Sequence, residues 1–453
     1  MVTAPSHAAP NLLDAILDGP ADQLLLVGGG RRWSREELRE TVERRAADMA
    51  ERGLRAGAVH VLDGVPDVET VLELLAVWRL DAVAGLLSPG LTSREWTAAV
   101  ETLATASDVP AGTAAVLWTS GTAGRPRGVA LGHRNLVASA LAARDRLSLG
   151  VDDVWLASLS PAHVGGLALV TRSLLLSSTL LAPGPIRAEA LPPLLRGSAS
   201  APPVSHLSLV PTQLLRLLDA WGDALPPRTL RLVLVGGAHA PARLVERALA
   251  SAWPVSLTYG MTEMTSQVAT AAPAEVLYDP ESVGRPLDGV EVRVAGSGEL
   301  LVRGPTLALG YVGGREALAD PEGWYHTGDL GALDARGRLR VTGRRADRIV
   351  SGGVTVDARE VEEVLRDHPA VAAAAVAGVP DPEWGERVGA AVVLREREGD
   401  AAPDPDAVLE SLDDWCRERL GPARIPRIWV TLPELPLNRN GKVDRAAVRE
   451  ALV

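Results

Sequence analysis

Residues 205 to 218 read SHLSLVPTQLLRLL. A short apolar run ends at Pro211, and leucines at helical spacing follow it. The succession repeats downstream, because apolar runs at 232–235 and 255–258 enclose a helical pattern at 241–250. Short apolar runs that alternate with helical segments are typical of parallel βαβ units. This stretch therefore predicts the core of an α/β fold.

The character of the sequence changes on either side of that core. The N-terminal part also mixes strand and helix patterns, and Ser34 and Glu37 have the spacing of a capping box that opens a helix. From residue 290, apolar and polar residues alternate between glycine-containing turns, as in antiparallel sheets. We predict a large N-terminal domain over residues 1–343, made of α/β subdomains and a β-rich subdomain, and a small α+β domain over residues 344–453.

The composition excludes several classes of protein. The chain has 453 residues, of which 47% are hydrophobic and 23% charged, which are ordinary globular values. Its formal net charge of −11 gives no reason to expect nucleic acid or an anionic membrane as the main partner. Cys416 is the single cysteine, so neither a disulfide framework nor a multi-cysteine metal site can form. The N-terminus lacks a signal-peptide pattern and no apolar run reaches about 18 residues, so we expect a cytoplasmic protein.

The cationic residues are almost all arginine. Lys442 is the sole lysine among 46 lysines and arginines, and phenylalanine is absent. The depleted residue types have AT-rich codons, so a GC-rich genome explains the bias without a functional cause. Two explanations of Lys442 stay open, that it stands where a guanidinium cannot replace a compact ammonium, or that the one remaining lysine falls there by chance.

A glycine-rich segment, TSGTAGRPRG, occupies residues 119–128 after a short apolar run. Its backbone N–H groups and hydroxyls can wrap phosphate oxygens, and Arg127 adds positive charge. The segment is not a P-loop, because no Gly-Lys-Ser/Thr closes it. Taken alone, it is as readily explained as a surface loop.

Further segments carry groups that suit a nucleotide site. Tyr259 offers a flat face for a base, and Glu263 offers a hard oxygen ligand for Mg²⁺. Asp329 can accept both hydroxyls of a ribose, and residues 343–353 are basic and glycine-rich. An Asn-Gly turn signal places Lys442 at an exposed loop tip. Taken singly, each is more simply an ordinary turn or strand end.

In this order and spacing, these segments resemble the adenylate-forming superfamily, which includes acyl- and aryl-CoA ligases, adenylation domains of peptide synthetases and beetle luciferases. The resemblance covers about residue 25 to the C-terminus and implies a small mobile C-terminal lid, with the active site in the crevice between the domains. It implies that ATP or AMP is bound by Thr119, Ser120, Gly121, Thr122, Gly124, Gly237, Ala238, Tyr259, Gly260, Met261, Thr262, Asp329 and Arg344.

The resemblance also assigns chemical roles. It implies that Glu263 binds Mg²⁺ and that Lys442, His163 and Arg127 are catalytic. The family usually has lysine where Arg127 stands, and Ala346 replaces the usual Asp, Lys or Ser of the hinge, which leaves the hinge open. The implied reaction forms an acyl-adenylate from a carboxylate and ATP, releases pyrophosphate, and passes the acyl group to a thiol such as that of CoA.

The pocket for the acid is implied at His163, Arg172, Gly236 and Gly260. Arg172 lies in an apolar run, where its charge is costly unless it pairs with an anion or reaches the surface. The spacing of His163 and Arg172 is similar to that in o-succinylbenzoate–CoA ligases of menaquinone synthesis, whose substrate carries a second carboxylate. We therefore expect an ATP-dependent acid–CoA ligase of that kind.

Other functions stay open at this point. A ligase of secondary metabolism would activate another aryl or acyl acid and use CoA, a carrier protein or an amine as acceptor. A catalytically inactive nucleotide-binding regulator and a luciferase-like oxygenase are disfavoured, because Lys442, Glu263 and Asp329 are retained and nothing suggests an oxygen-handling pocket. The expected partners are a small carboxylic acid and CoA, and a homodimer stays open.

Overall fold

The structure is a computed structural model that describes residues 12–89, 91, 96–97, 99–101, 103, 109–119, 127–197, 201–314, 317–351, 354–395, 404–438 and 442–453. The chain folds as two compact units. The first comprises Met1–Thr327 and Ala332–Val341, and the second comprises Gly328–Gly331 and Thr342–Val453. The domain boundary expected between residues 343 and 344 stays a prediction.

The first unit is a mixed α/β structure. Its helices are α1 (Leu12–Leu17), α2 (Arg35–Glu51), α3 (Val68–Arg79), α4 (His133–Leu147), α5 (Val164–Leu175), α6 (Leu191–Arg196), α7 (Pro211–Trp221), α8 (Ala242–Ala250) and α9 (Pro273–Tyr278), with 3-10 turns at Ala188–Ala190 and Thr262–Met264. Its strands are β1 (Leu24–Gly28), β2 (Arg31–Ser34), β3 (Val59–Asp63), β4 (Val83–Leu87), β5 (Thr113–Thr119), β6 (Arg127–Gly132), β7 (Val154–Leu156), β8 (Thr179–Leu181), β9 (His206–Leu209), β10 (Leu232–Val235), β11 (Val255–Met261), β12 (Ser266–Ala271), β13 (Arg285–Pro286), β14 (Glu291–Val294), β15 (Glu299–Arg303) and β16 (Gly310–Tyr311). Two further strands, β17 (Tyr325–Leu333) and β18 (Leu339–Arg344), have residues in both units.

The largest sheet has the strand order β13-β12-β11-β10-β9-β7-β8-β1-β2. Its central pairs, from β11 through β10, β9, β7 and β8 to β1, are parallel. The succession β9–α7–β10–α8–β11 forms the βαβ units that the sequence predicts, which confirms the α/β class. Pro211 occupies the first turn of α7, where a missing N–H costs nothing, and the Gln213 side chain accepts the Val210 N–H at 3.0 Å.

The other strands named so far form two smaller sheets. One has the order β16-β6-β5-β4-β3, and the other is the meander β14-β15-β17-β18. The capping box predicted at the start of α2 is confirmed, because the Glu37 N–H donates to the Ser34 hydroxyl at 3.3 Å and the Glu37 carboxylate accepts the Ser34 N–H at 2.8 Å. Among the residues described, no helix is long and apolar enough to cross a membrane.

The second unit is α+β. Its helices are α10 (Ala358–Arg366), α11 (Pro405–Arg419) and α12 (Arg445–Ala451), and its further strands are β19 (Arg348–Ser351), β20 (Val354–Asp357), β21 (Val371–Asp381), β22 (Gly385–Leu394) and β23 (Ile428–Thr431), with 3-10 turns at Arg345–Asp347 and Pro422–Arg424. The sheet order is β20-β19-β22-β21, with β23 also paired to β22. Asp357, Asp404 and Asp444 cap the three helices through side-chain oxygens.

Candidate active site

The glycine turn after β10 lies beside the carboxyl ends of the parallel strands β9 and β11. The Gly236 N–H donates to the Leu209 carbonyl at 3.1 Å, and Gly237 and Ala238 continue the turn. Gly237 has a φ of 80°, a conformation that favours glycine. Ligands of α/β folds bind outside the carboxyl ends of parallel strands, so these three residues stand where a ligand site is expected.

The segment from Tyr259 to Glu263 has a backbone that neighbouring residues hold in place. A bulge separates Tyr259 from Gly260, and a Cβ at Gly260 would lie 1.7 Å from the Ser266 carbonyl oxygen, so only glycine fits. Thr262 and Glu263 follow Met261 in a 3-10 turn. Thr265, which directly follows this turn, is left-handed with a φ of 50°, and its hydroxyl donates to the Thr306 carbonyl at 2.7 Å. This contact anchors the end of the turn that carries Thr262 and Glu263.

Glu263 lies in a cluster with two tyrosines and an arginine. The Tyr311 hydroxyl donates to Glu263 Oε1 at 3.2 Å and lies 3.4 Å from the Tyr325 hydroxyl. Burial is the main cause that raises the pKa of Tyr311, and the Glu263 charge adds to it, so the phenol stays neutral and remains a donor. The Arg127 guanidinium carbon lies 5.3 Å from the centre of the Tyr311 ring.

A magnesium ion fits at Glu263 only together with a nucleotide. Within the described ranges, no group of three or more His, Cys, Asp or Glu side chains could hold a metal ion by itself. Mg²⁺ is commonly held by one or two carboxylates while phosphate oxygens and water supply the other ligands. Glu263 therefore suits a Mg²⁺ ion that arrives with ATP.

The ends of the glycine-rich loop are paired with each other. Thr119 at the end of β5 stands opposite Arg127 at the start of β6, and the Thr119 hydroxyl donates to the Arg127 carbonyl at 3.5 Å. Ser120, Gly121, Thr122 and Gly124 lie outside the described residues, so their roles stay predictions. Because Arg127 lies beside Tyr311, the C-terminal end of this loop is next to the Glu263 cluster.

Asp329, Arg344 and Lys442 are close together in the second unit. The Arg344 Nε donates to Asp329 Oδ1 at 2.7 Å. Burial and the Arg344 charge lower the pKa of Lys442, while Asp329 acts in the opposite direction. The sequence-based prediction of an exposed loop tip is wrong, since Lys442 is half-buried, and the roles assigned to Asp329, Arg344 and Lys442 stay predictions.

Hydrogen bonds at its base hold the segment that carries Lys442. The Asn438 N–H donates to the Lys442 carbonyl at 2.6 Å, and the Lys442 N–H donates to Asn438 Oδ1 at 3.1 Å. Leu437 and Val443 form a bridge one residue further out, and the Asp444 N–H donates to the Pro436 carbonyl at 2.9 Å. These contacts close the base of the hairpin that carries Lys442, which is called the Lys442 hairpin below.

Arg445 joins this hairpin to the rest of the second unit. Its Nη1 donates to Glu362 Oε1 and to the Val376 carbonyl, each at 2.6 Å, and its Nε lies 3.3 Å from Asp347 Oδ2. The same Glu362 oxygen accepts the Val376 N–H at 3.0 Å. Asp347 directly follows Ala346, the position at which the family has its hinge and where the assignment stays open, so this network links the Lys442 hairpin to that segment.

His163 and Arg172 stand at the two ends of α5 in the first unit. His163 is the N-cap residue, and its carbonyl accepts N–H groups of the first turn. A Cβ at Gly166 would lie 2.1 Å from the Ser160 carbonyl oxygen, so glycine allows α5 to begin close to the loop before it. Nine residues of helix separate Arg172 from His163, which corresponds to about 13 Å along the helix axis.

Arg172 is buried inside the protein rather than reaching the surface. Only 2% of its surface is exposed, and its Nε has no hydrogen-bond partner among the described residues. Burial lowers the pKa of Arg172 to about 10. The guanidinium carbon lies 5.3 Å from the centre of the Trp155 ring, and no ion pair to a carboxylate forms in the part of the chain described. The structure therefore excludes the surface-reaching alternative for Arg172.

Comparison with known proteins places the chain in a family. Residues 97–312 match the AMP-binding enzyme family and residues 360–442 match the C-terminal domain of AMP-binding enzymes. The chain is 37% identical to the 2-succinylbenzoate–CoA ligase of Bacillus cereus (strain Q1) over 346 residues, which cover 74% of this chain and 69% of that protein. The chain belongs to the AMP-binding enzyme family. It is an adenylate-forming ligase, as the resemblance seen in its sequence implies.

Solved structures show the same fold. The o-succinylbenzoate CoA synthetase of Bacillus subtilis in complex with the acyl-adenylate OSB-AMP is similar with a TM-score of 0.83 and 28% identity, covering 97% of this chain and 98% of that one. The same synthetase in complex with ATP and a magnesium ion has a TM-score of 0.82 and 28% identity, covering 96% of this chain and 98% of that one. ATP-bound MatB from Rhodopseudomonas palustris has a TM-score of 0.83 and 26% identity, covering 97% of this chain and 98% of that one.

Sequence reasoning missed several residues of this adenylate-forming ligase. Tyr311 and Tyr325 were not predicted beside Glu263, although a signal existed, since tyrosine is depleted and only four tyrosines remain in the chain. Trp155 and the residues behind it were not predicted beside Arg172, and no local pattern pointed to them. Arg445 was also missed, although it lies three residues after Lys442.

Proposed function

We propose that the chain is an o-succinylbenzoate–CoA ligase, which would convert o-succinylbenzoate, ATP and CoA into o-succinylbenzoyl-CoA, AMP and pyrophosphate through an acyl-adenylate, in menaquinone synthesis. The names of the sequence relatives and of the B. subtilis neighbour support this substrate. The substrate is a benzoate whose ring also carries a succinyl chain, so it has two carboxylates. One of them would be activated and the other would have to be recognised.

Arg172 is the observation that carries the proposal. A buried guanidinium without an anion is costly, and its charge would be offset by the carboxylate that is not activated. Its position on α5, within about 13 Å of His163 along the helix, leaves room for an aromatic acid whose two carboxylates are several bonds apart. A monocarboxylic acid would leave the Arg172 charge unpaired.

In the first half-reaction a carboxylate must approach the α-phosphate of ATP although both are negatively charged. Lys442 would contact both groups through one ammonium, while Arg127 and the donors of the 119–128 loop bind the outer phosphates. Glu263 would hold the Mg²⁺ ion, which neutralises phosphate charge when it is bound. Tyr259 would stack on the adenine, and Asp329 with Arg344 would bind the ribose.

In the second half-reaction the thiol of CoA would attack the acyl carbon, and AMP would leave. Lys442 has no role at that carbon, so movement of the C-terminal domain about the segment at Ala346 would withdraw it and admit the thiol. His163 at the start of α5 would line the approach to the acyl carbon. Domain movement is part of the proposal and rests on the resemblance to the family.

A ligase for a different acid is the second candidate. MatB from R. palustris gives the same TM-score as the o-succinylbenzoate CoA synthetase, so the fold does not select the acid. Under this alternative, Arg172 would bind another anionic group or none.

An acid panel with the wild type and Arg172→Ala tests the proposal. The panel contains o-succinylbenzoate and two monocarboxylic analogues, 3-benzoylpropionate, which lacks the ring carboxylate, and 2-butanoylbenzoate, which lacks the chain carboxylate. We expect Arg172→Ala to weaken the binding of o-succinylbenzoate by about 3–5 kcal/mol, because a buried carboxylate loses its partner. KM for this acid should therefore rise on the order of 10²–10³-fold. Pyrophosphate release measures the rate, and KM for ATP should not change.

The outcome that contradicts the proposal is equally specific. If the wild type prefers a monocarboxylic acid, or if Arg172→Ala leaves the acid profile unchanged, the ligase acts on a different acid and the second candidate is the better function.

A further inference from the structure

Residues 305–312 join two parts of the nucleotide site that are far apart in the sequence. The Ala308 N–H donates to the Glu263 carbonyl at 2.8 Å, in the turn that carries the expected Mg²⁺ ligand. The Val312 N–H donates to the Gly128 carbonyl at 2.8 Å, and β16 pairs with β6, the strand that follows the glycine-rich loop. This segment therefore ties the backbone of the Glu263 turn to the C-terminal end of that loop.

The first half of this segment is held in place by two buried side chains. The Asn135 side-chain amide, at the start of α4, donates to the Pro305 carbonyl at 2.9 Å and to the Leu307 carbonyl at 2.8 Å. The Thr265 hydroxyl donates to the Thr306 carbonyl at 2.7 Å. Four anchored carbonyls and N–H groups in a row restrict the backbone, so a side chain carried by this segment can hold other groups in position.

Tyr311 is that side chain, and its two ends make different contacts. Its hydroxyl donates to Glu263 Oε1 at 3.2 Å. Its ring centre lies 5.3 Å from the Arg127 guanidinium carbon. An arginine that stacks on an aromatic face still offers its N–H edge to an anion. One half-buried tyrosine thus contacts both the expected Mg²⁺ ligand and the cation expected at the outer phosphates.

The hydrogen bond to Glu263 is compatible with metal binding. A carboxylate has two oxygens and several lone pairs, so Glu263 can accept the Tyr311 hydroxyl at Oε1 and still offer an oxygen to Mg²⁺. Carboxylates that bind metals are commonly oriented by such a second hydrogen bond, and its loss costs about 10- to 100-fold in metal affinity or activity. The Tyr311 hydroxyl stands where it can supply this orientation.

We propose that Tyr311 is a positioning residue for ATP, whose hydroxyl orients Glu263 for the Mg²⁺ ion and whose ring orients Arg127 for the outer phosphates. A guanidinium stacks on an aromatic ring more readily than an ammonium does, so this ring suits the arginine that stands where the family usually has lysine. The inference rests on the roles that the proposed function gives to Glu263 and Arg127, and it does not depend on which acid is activated.

The test measures nucleotide binding in the absence of any acid, so that no adenylate forms. Calorimetry gives Kd for Mg·ATP, for ATP in EDTA and for AMP in EDTA, with the wild type and with Tyr311→Phe, which loses the hydroxyl and keeps the ring. Kd for Mg·ATP should rise on the order of 10- to 100-fold, toward the Kd of metal-free ATP. Kd for metal-free ATP and for AMP should stay at the wild-type values.

A second variant tests the role of the ring. Tyr311→Leu removes the hydroxyl and the aromatic face, so it should also weaken metal-free ATP by about 2- to 5-fold, the equivalent of one exposed cation–π contact. AMP has no outer phosphates, so its Kd should not change. Arg127→Ala should give the same selective loss for metal-free ATP. If Tyr311→Leu does not fold, Tyr311→Met, which keeps most of the volume, provides the same comparison.

Tyr278→Phe is the matched control for the loss of a tyrosine hydroxyl. Tyr278 is 69% exposed at the end of α9, and its ring lies beside Arg336 and Arg338. This variant should leave all three dissociation constants at the wild-type values. A merely structural role of Tyr311 would instead weaken AMP and Mg·ATP together.

Glu263→Gln separates the two levels of the argument. If it does not reduce the advantage of Mg·ATP over metal-free ATP, or if the wild type shows no such advantage, the role that the proposed function gives to Glu263 fails first. If Glu263→Gln reduces this advantage but Tyr311→Phe does not, or if Tyr311→Phe weakens AMP equally, the inference is overturned. An unchanged Kd for metal-free ATP in Tyr311→Leu overturns the role of the ring. Selective loss of Mg·ATP in both Glu263→Gln and Tyr311→Phe supports both levels.

Discussion

In the proposed mechanism, the first half-reaction depends most on Lys442. Lys442→Ala should reduce acyl-adenylate formation by about 10²–10³-fold, since one preorganised charge at a reacting phosphate is worth about 2.7–4 kcal/mol. Thioester formation from supplied acyl-AMP should be nearly unchanged, because Lys442 has no role at the acyl carbon. Pyrophosphate exchange measures the first step, and single-turnover thioester formation measures the second.

Lys442→Arg is a matched control that keeps the positive charge but changes the geometry of the charged group. A planar guanidinium cannot touch a carboxylate and a phosphate from one point as an ammonium can, so adenylation should stay poor. Full activity of Lys442→Arg, or equal loss of both half-reactions in Lys442→Ala, contradicts the role assigned here.

His206 gives a pH dependence of stability with a defined sign. Its pKa is about 4 in the folded protein and 6.5 for the ordinary group. Between these two pH values the unfolded chain binds a proton at His206 that the folded chain does not bind. The free energy of unfolding should therefore fall as pH decreases from 6.5 to 4, by up to about 3 kcal/mol from this group. Urea unfolding at pH 7 and pH 4.5 should show a smaller loss in His206→Gln than in wild type, and equal losses contradict it.

At the residue scale, the sequence could predict groups that belong to contiguous motifs. Glu263, Asp329 and Lys442 stand in segments that a family resemblance identifies. The partners of these groups come from distant positions, as Tyr311 shows by reaching Glu263 across 48 residues. The exposure of Lys442 was predicted wrongly for the same reason, because Asp329 and Arg344 approach it from elsewhere in the chain.

At the scale of elements, the Lys442 hairpin depends on its anchor at Arg445. Arg445→Ala removes one of the two cations that contact the buried Glu362 carboxylate, since Arg366 stays at 3.0 Å, and should lower the free energy of unfolding by about 1.5–3 kcal/mol. Asp347→Asn removes only the outer contact at 3.3 Å, where the side chains are about one-third exposed, and should cost about 1 kcal/mol or less. Chemical denaturation followed by tryptophan fluorescence measures both values.

An ion pair on the surface of the same unit is the control for this prediction. Arg424 and Glu360 approach to 3.1 Å with exposed side chains, so Glu360→Gln should change the stability by less than about 1 kcal/mol. A similar cost for Arg445→Ala and Glu360→Gln would show that Arg445 does not anchor the hairpin.

Elements with local signals could be predicted from the sequence. The capping box of α2 and the aspartate caps of α10, α11 and α12 are fixed by residues within three positions of each other. The surroundings of Arg172 could not be predicted, because the Trp155–His206 pairing depends on the register of two strands about 50 residues apart in sequence. The apolar run around Arg172 did predict helix α5, but it left the direction of the side chain open.

At the scale of the whole molecule, family and chemistry follow from motifs spread over both units. The glycine-rich loop and Glu263 lie in the first unit, while Asp329, Arg344 and Lys442 lie in the second. The o-succinylbenzoate CoA synthetase of B. subtilis and MatB of R. palustris have different names, yet each has the same TM-score with this chain. Under the proposed function, the choice of acid depends on a few side chains of the first unit, with Arg172 foremost.

A competition experiment with the wild-type protein tests that choice most directly. The protein is given equal concentrations of o-succinylbenzoate, 3-benzoylpropionate and 2-butanoylbenzoate, with ATP, Mg²⁺ and limiting CoA, and mass spectrometry measures the CoA thioesters. Their ratio reports the ratio of kcat/KM values. A buried pair between Arg172 and the second carboxylate predicts that o-succinylbenzoyl-CoA exceeds the other thioesters by on the order of 10²-fold or more. Comparable amounts of the thioesters, or an excess of either monocarboxylic product, would contradict the account.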